Sequence, residues 1–181
     1  MININSWIIP LFTAIIGAIV TVIVSTIISS HTEKNKIKHE EMNTKSNLKV
    51  EFELNKKNLE EYNEKYLKQN LSTIIFLDKD KTTNYSDFYK NLGSFPIFNH
   101  IAWNNAQNII NNIFNEREIK EMREFNTTCD KLKEKANNLH KKYDNELLKK
   151  ENYDLSDIRD FEWDINNAIK KGETALIYLK F

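Results

Sequence analysis

The sequence predicts an all-α protein with a single N-terminal transmembrane helix, followed by a cytosolic bundle of long antiparallel helices. Three observations support this fold class. The first 30 residues carry no charge, whereas all 26 Lys+Arg and all 26 Asp+Glu residues come after them. Only three Gly and two Pro occur in 181 residues, and a chain with so few turn-forming residues favours long helices. Beyond residue 30, apolar residues recur mainly at spacings of three and four, which is the period of an amphipathic helix.

The membrane anchor is predicted within residues 1–30. Trp7 to Ile28 is an uncharged run of 22 residues, and at about 1.5 Å per residue it can cross a hydrocarbon core of about 30 Å. Thirteen of these residues are Leu, Ile, Val or Phe, and together they favour insertion by about 4–8 kcal/mol. A cleaved signal peptide is the alternative, but it would have a basic N-terminal region and a shorter apolar stretch.

Basic residues beside the span predict its orientation. None precedes it, whereas Lys34, Lys36 and Lys38 follow it closely. The positive-inside rule then leaves the N-terminus outside and the body in the cytoplasm, at the inner or plasma membrane. The same three lysines are predicted to lie at the membrane surface, where nearby glutamates offset part of their attraction to anionic lipids.

Small residues recur every four positions in the span, at Thr13, Gly17, Thr21 and Ser25. Lipid provides no hydrophobic drive for helix pairing, so membrane helices associate by close approach along such stripes. The stripe therefore predicts self-association of the anchor. The alternative is that small residues are common in any membrane helix.

A long juxtamembrane helix is predicted over residues 31–77. Seven residues within it follow alternating spacings of four and three, typical of a coiled-coil seam. The seam predicts either a homodimer or packing against the chain's own later helices, and Asn55 resembles the polar residue that sets register in coiled coils. Its members are Leu48, Phe52, Asn55, Leu59, Tyr62, Tyr66 and Gln69.

The helical body is predicted over residues 78–181, with helices at about 96–115, 116–150 and 154–171. The middle helix has the clearest apolar stripe, running from Met122 to Tyr143. Residues 131–150 hold seven Lys against three acids, and residues 151–164 hold six acids against one Arg. An antiparallel hairpin would place these opposite charges side by side. Residues 71–77 and 174–181 fit either a strand or a helix.

One short motif resembles known catalytic and metal-binding sequences. An apolar run, residues 74–77, precedes Asp78-Lys79-Asp80-Lys81-Thr82 and resembles the first motif of haloacid-dehalogenase-type phosphotransferases. The resemblance implies Asp78 as nucleophile and Asp80 as general acid/base, with Mg²⁺ neutralising the phosphate. That fold needs a parallel sheet and several Gly-bearing loops, which the rest of the sequence does not indicate. The alternating oxygen-bearing residues also fit part of a calcium loop. A solvated turn is the favoured interpretation.

The remaining residue types give no assembled site. The four histidines have no close metal-ligand spacing, and Cys129 lies within an apolar stripe, as a small core residue would. The formal net charge is zero, so bulk charge does not indicate nucleic acid. We therefore predict no cofactor, no metal, no nucleic-acid partner and no small-molecule substrate. The 25 Asn and 23 Lys against three Arg are typical of an A+T-rich bacterial or phage genome.

Three functional hypotheses follow. The first is a non-enzymatic, membrane-tethered helical module that binds itself or another helical protein as scaffold, adaptor or regulator. The second is a small membrane-acting effector, of toxin, phage-defence or lysis type, that perturbs the bilayer when it oligomerises. The third is a tethered Mg²⁺-dependent phosphotransferase using Asp78 and Asp80.

Overall fold

The computed structural model describes residues 5–68, 91–147 and 155–180, most of which are helical. No strand occurs among these described residues, which confirms the all-α prediction. The chain divides into two units, Met1–Asn43 and Thr44–Phe181. In chain order the elements are α1 (Asn5–Tyr62), a π-helical turn (Asn63–Lys68), α2 (Ile101–Ala106), α3 (Ile110–Ile113), α4 (Glu116–Leu147) and α5 (Leu155–Ile177).

The first unit contains the N-terminal part of α1. Every side chain from residue 13 to residue 40 is exposed. The helix continues from the apolar residues before Ile28 into the charged residues after it, so no break separates the predicted span from the juxtamembrane helix. Of the helix predicted over 31–77, α1 and its π-helical turn cover the part up to Lys68, and residues 71–77 lie outside the described residues.

The core of the second unit joins α1, α4 and α5 through aromatic side chains. Phe52 of α1 is fully buried, and its ring meets Phe125 of α4 edge-on at a centroid distance of 5.4 Å. Phe95 lies before α2, and the centroid of its ring is 5.4 Å from that of Phe161 on α5. Because these rings come from distant parts of the chain, their burial holds the helices together.

Helices α4 and α5 are antiparallel, and opposite charges pair along them. Lys135 Nζ donates to the carboxylate of Asp164, and Lys142 Nζ donates to Asp157 at 2.8 Å. Lys142 follows Lys135 along α4, whereas its partner Asp157 precedes Asp164 along α5, as antiparallel helices require. These pairs join the basic and acidic stretches noted in the sequence.

Three helices approach one another closely at Gly172. A Cβ on this residue would lie 2.9 Å from a ring carbon of Phe125 on α4 and 3.4 Å from Cβ of Lys56 on α1. The helix predicted over about 154–171 does not end here but extends to Ile177, because Ala175 and Leu179 beyond the glycine are fully buried in the same core. Residues 174–180 thus form helix and a final turn rather than a strand.

The prediction of a single helix over about 96–115 is wrong. Residues 95–100 are not helical, and a turn at residues 107–109 separates α2 from α3. The cause lies outside the segment, because side chains of α1 bind the backbone at residues 99–103 and fix where α2 begins.

Candidate functional site

The most unusual surface among the described residues is the apolar stretch of α1 before Glu33. Large apolar side chains on all sides of the helix are 48–63% exposed, whereas the core of the second unit is at most 9% exposed. Monomeric soluble proteins rarely expose a contiguous apolar surface of this kind. These side chains are Ile15, Ile16, Ile19, Val20, Val22, Ile23, Val24, Ile27 and Ile28. One helix in the described part of the chain is therefore long and apolar enough to cross a membrane.

Hydroxyl groups in this stretch bond to the helix's own backbone. Thr21 Oγ1 donates to the carbonyl of Gly17 at 2.8 Å, and Ser25 and Thr26 donate to the carbonyl of Val22 at 2.9 and 2.8 Å. A hydroxyl that is satisfied within its own helix can enter hydrocarbon without a partner from another helix.

The small-residue stripe is exposed at Thr13, Gly17, Thr21 and Ser25. No heavy atom lies within 4 Å of where a Cβ on Gly17 would stand, so the surface is open there. Each four-residue step advances about 40° around an α-helix, so only three successive members share one face. Self-association through Thr13, Gly17, Thr21 and Ser25 stays a prediction.

The three juxtamembrane lysines do not share one face of α1. Each residue of an α-helix is rotated about 100° from the one before, so Lys34 and Lys38 lie about 40° apart. Lys36 lies about 160° from both, and all three side chains are exposed. The run of charge seen in the sequence thus divides into two opposite faces.

The predicted seam residues lie in the core of the second unit. Leu48, Phe52, Asn55 and Leu59 are 0% exposed and Tyr62 is 3% exposed, all packed within this chain. Tyr66 packs against the same core. Of the two alternatives for the seam, these contacts correspond to packing on the chain's own helices. Gln69 lies outside the described residues.

Asn55 and Glu51 clamp the segment that leads into α2. The Asn55 side chain donates to the carbonyl of Asn99 at 2.7 Å and accepts from its N–H at 3.0 Å. Glu51, 4% exposed, accepts the N–H groups of Ala102 at 2.6 Å and Trp103 at 3.0 Å. Burial raises the pKa of the Glu51 carboxyl above its ordinary 4.5, and the two N–H groups and His100 partly oppose this shift.

His100 connects the same segment to α4. Its Nδ1 lies 3.1 Å from Asn126 Oδ1, and its Nε2 lies 3.0 Å from a carboxylate oxygen of Asp130. The ring is thereby fixed between two residues one helical turn apart. The bonds of Glu51, Asn55 and His100 hold the start of α2 between α1 and α4, and we interpret this group as a structural clamp.

Sequence patterns did not indicate the role of Glu51. It precedes the seam residue Phe52 by one position and looks like an ordinary charged helix residue. The backbone N–H groups that it binds lie about fifty residues later in the chain. The role of His100 is equally hidden in the sequence, because its partners on α4 come 26 and 30 residues later.

The remaining candidates from the sequence are Cys129, a metal site and the motif at Asp78 and Asp80. Cys129 is fully buried, and burial raises the pKa of its thiol to about 12, which leaves almost no reactive thiolate at neutral pH. No group of three or more His, Cys, Asp or Glu in the described residues could hold a metal ion. Asp78 and Asp80, and the calcium-loop pattern that begins there, lie outside the described residues.

A groove of about 320 Å³ lies beside α4 and α5. Two of its basic residues, Lys135 and Lys142, are paired with Asp164 and Asp157. Because these charges already neutralise each other, the groove has little attraction for a charged ligand.

No family model, no characterised protein and no solved structure matches this chain.

Proposed function

We propose that this chain is a membrane-tethered helical interaction module without catalytic activity. The main support for this proposal is the contrast along α1 in the exposed fraction of apolar side chains. Apolar side chains between Ile15 and Ile28 are about half exposed or more, whereas Leu48, Phe52 and Leu59 of the same helix are 0% exposed. The second set has a protein core to bury it, and the bilayer is the solvent that suits the first.

The proposed topology follows from the lysines after the span. The short N-terminus lies outside, and the body lies on the cytoplasmic side of the cell membrane.

A neutral, charge-rich body suits binding to proteins better than binding to nucleic acid. An exposed Trp163 on α5, of the residue type enriched at interfaces, supports an interaction role for the body.

Membrane insertion is tested by alkaline carbonate extraction of membranes from cells that express the full chain. The wild type is expected in the pellet. The variant Val20→Lys/Ile23→Lys is expected in the supernatant, because each Lys near the centre of a span costs about 2.5–3.5 kcal/mol. The matched control is Ile97→Lys, which alters an exposed apolar residue of the body and should leave the protein in the pellet. A carbonate-soluble wild type would refute the proposal.

A second measurement distinguishes the interaction module from a bilayer-perturbing effector. Cells that induce the full chain are followed with a potential-sensitive dye. An interaction module is expected to leave the membrane potential unchanged even at high expression. Depolarisation that Val20→Lys/Ile23→Lys abolishes would refute the interaction role and support the effector.

A further inference from the structure

We propose that the His31–Lys34–Lys38 face of α1 binds the headgroups of anionic phospholipids, and that Lys36 on the opposite face does not. This inference rests on the proposed membrane insertion, because insertion places the face next to the headgroup layer at the end of the span. The partner is a lipid surface that bears phosphate groups with net negative charge.

Depth brings all three lysines near the headgroups. At about 1.5 Å per residue, Lys34, Lys36 and Lys38 lie about 9, 12 and 15 Å beyond Ile28 along the helix axis. The polar layer of a bilayer is about 5–7 Å thick on each side, and the Debye length adds about 8 Å at physiological ionic strength. Depth alone would rank Lys36 between Lys34 and Lys38, so a weaker contribution from Lys36 than from Lys38 must come from the face of the helix.

The local charge of the two faces differs. Residues three and four positions apart are neighbours on a helix surface. Lys36 has Glu33 three positions before it, Glu40 four positions after it and His39 three positions after it, so its charge lies between two carboxylates and beside one imidazole. Lys34 has no acidic residue at either spacing, and its neighbours there include His31 and Lys38.

These neighbours decide which lysines attract an anionic headgroup. A phosphate near Lys34 meets a second lysine and an imidazole on the same face, all exposed. A phosphate near Lys36 meets Glu33 and Glu40, whose charges repel it. Lys38 is intermediate, because Glu41 follows it by three positions. The ranking is therefore Lys34 first, Lys38 second and Lys36 last.

The test uses the full-length chain reconstituted in phosphatidylcholine vesicles that contain trace spin-labelled phosphatidylglycerol or spin-labelled phosphatidylcholine. Electron paramagnetic resonance gives the motionally restricted fraction of each lipid, and hence the selectivity for the anionic one. The wild type is expected to select phosphatidylglycerol, and added NaCl is expected to weaken the selectivity.

The variants separate the two faces. Lys34→Gln is expected to lower the selectivity up to about five-fold, the equivalent of about 1 kcal/mol for one lysine at an anionic surface. Lys38→Gln should lower it less, and the matched control Lys36→Gln should leave it unchanged. Gln keeps helix propensity close to that of Lys, so α1 is retained in all three variants.

Two results would overturn the inference while leaving membrane insertion intact. One is equal restriction of the two lipids by the wild type. The other is a loss for Lys36→Gln as large as that for Lys34→Gln, which would mean that total charge matters and the face does not. Failure of the proposed function looks different, because a chain that does not insert would restrict neither lipid.

Discussion

Gly172 occupies a position where three helices leave no room for a side chain. A Cβ there would lie 2.9 and 3.1 Å from two ring carbons of the fully buried Phe125. We expect Gly172→Ala to lower the free energy of unfolding by about 1–2 kcal/mol, because overpacking costs more than the helix propensity that Ala gains. Urea unfolding of the detergent-solubilised protein, followed by circular dichroism, measures the change.

The control for this substitution is Gly17→Ala in the same chain. Gly17 has open space where the Cβ would stand, so the unfolding midpoint of the body should not change. A midpoint for Gly172→Ala at or above that of the wild type would contradict the close approach of the three helices.

Glu51 supplies the carboxylate of the clamp. Glu51→Ala leaves the N–H groups of Ala102 and Trp103 without their acceptor, and we expect a loss of about 1–3 kcal/mol in the free energy of unfolding. The exposed Glu53 on the same helix is the control, and Glu53→Ala should change stability by no more than about 0.5 kcal/mol.

The effect of Glu51→Ala should also depend on pH. The pKa of Glu51 is raised above 4.5 in the folded chain, so the folded state binds this proton more tightly than the unfolded state does. The stability that comes from this proton is fully present below pH 4.5 and is lost as the pH rises through the folded pKa. The loss caused by Glu51→Ala should therefore be larger at about pH 4.5 than at pH 7.5. The opposite trend would contradict the raised pKa.

Between α4 and α5, opposite charges pair along the two helices. The Lys135 and Asp164 side chains are each about one-third exposed, so their pair is worth about 1 kcal/mol or less. We expect Lys135→Glu to destabilise the protein by about 1 kcal/mol, because two carboxylates then face each other. The double variant Lys135→Glu/Asp164→Lys should recover most of this loss.

Thermal unfolding of the single and double variants measures this coupling. Lys133→Glu changes the same charge at an exposed position of α4 and is the matched control, expected to change stability by less than about 0.5 kcal/mol. No recovery in the double variant would mean that the Lys135–Asp164 pair does not contribute to the alignment of the helices.

Helices with an uninterrupted apolar stripe could be predicted from the sequence, and those shaped by distant residues could not. The stripe that includes Met122, Phe125 and Cys129 predicted a helix at about 116–150, and α4 is Glu116–Leu147. The segment 96–115 has apolar residues at helical spacing too, but Glu51 and Asn55 determine where α2 begins. Local periodicity contains no information about these contacts.

The candidate site was predictable only in part for a similar reason. The uncharged run and the three lysines are visible in the sequence, and composition alone identifies a helix suited to a membrane. The division of Lys34 and Lys38 from Lys36 requires that α1 continue without a break past Ile28. Once that continuity is given, the faces follow from 3.6 residues per turn.

At the scale of the whole molecule, the chain contains two kinds of surface suited to two solvents. Among its described residues, the second unit buries most of its large apolar side chains and exposes charge, as a domain in water does. The first unit exposes apolar side chains on every side of a helix. We infer that the residues around Ile19 lie in hydrocarbon and that those after Glu33 lie outside it.

Labelling of single introduced cysteines with a membrane-impermeant maleimide tests this placement of the two segments. Native Cys129 should remain unlabelled in the folded protein, because it is buried and its pKa is raised to about 12. In broken-cell membranes that contain the full chain, Asn35→Cys is expected to label readily and Ile19→Cys to remain unlabelled, with both labelling after denaturation. Labelling of Ile19→Cys at the rate of Asn35→Cys in intact bilayers would contradict the account.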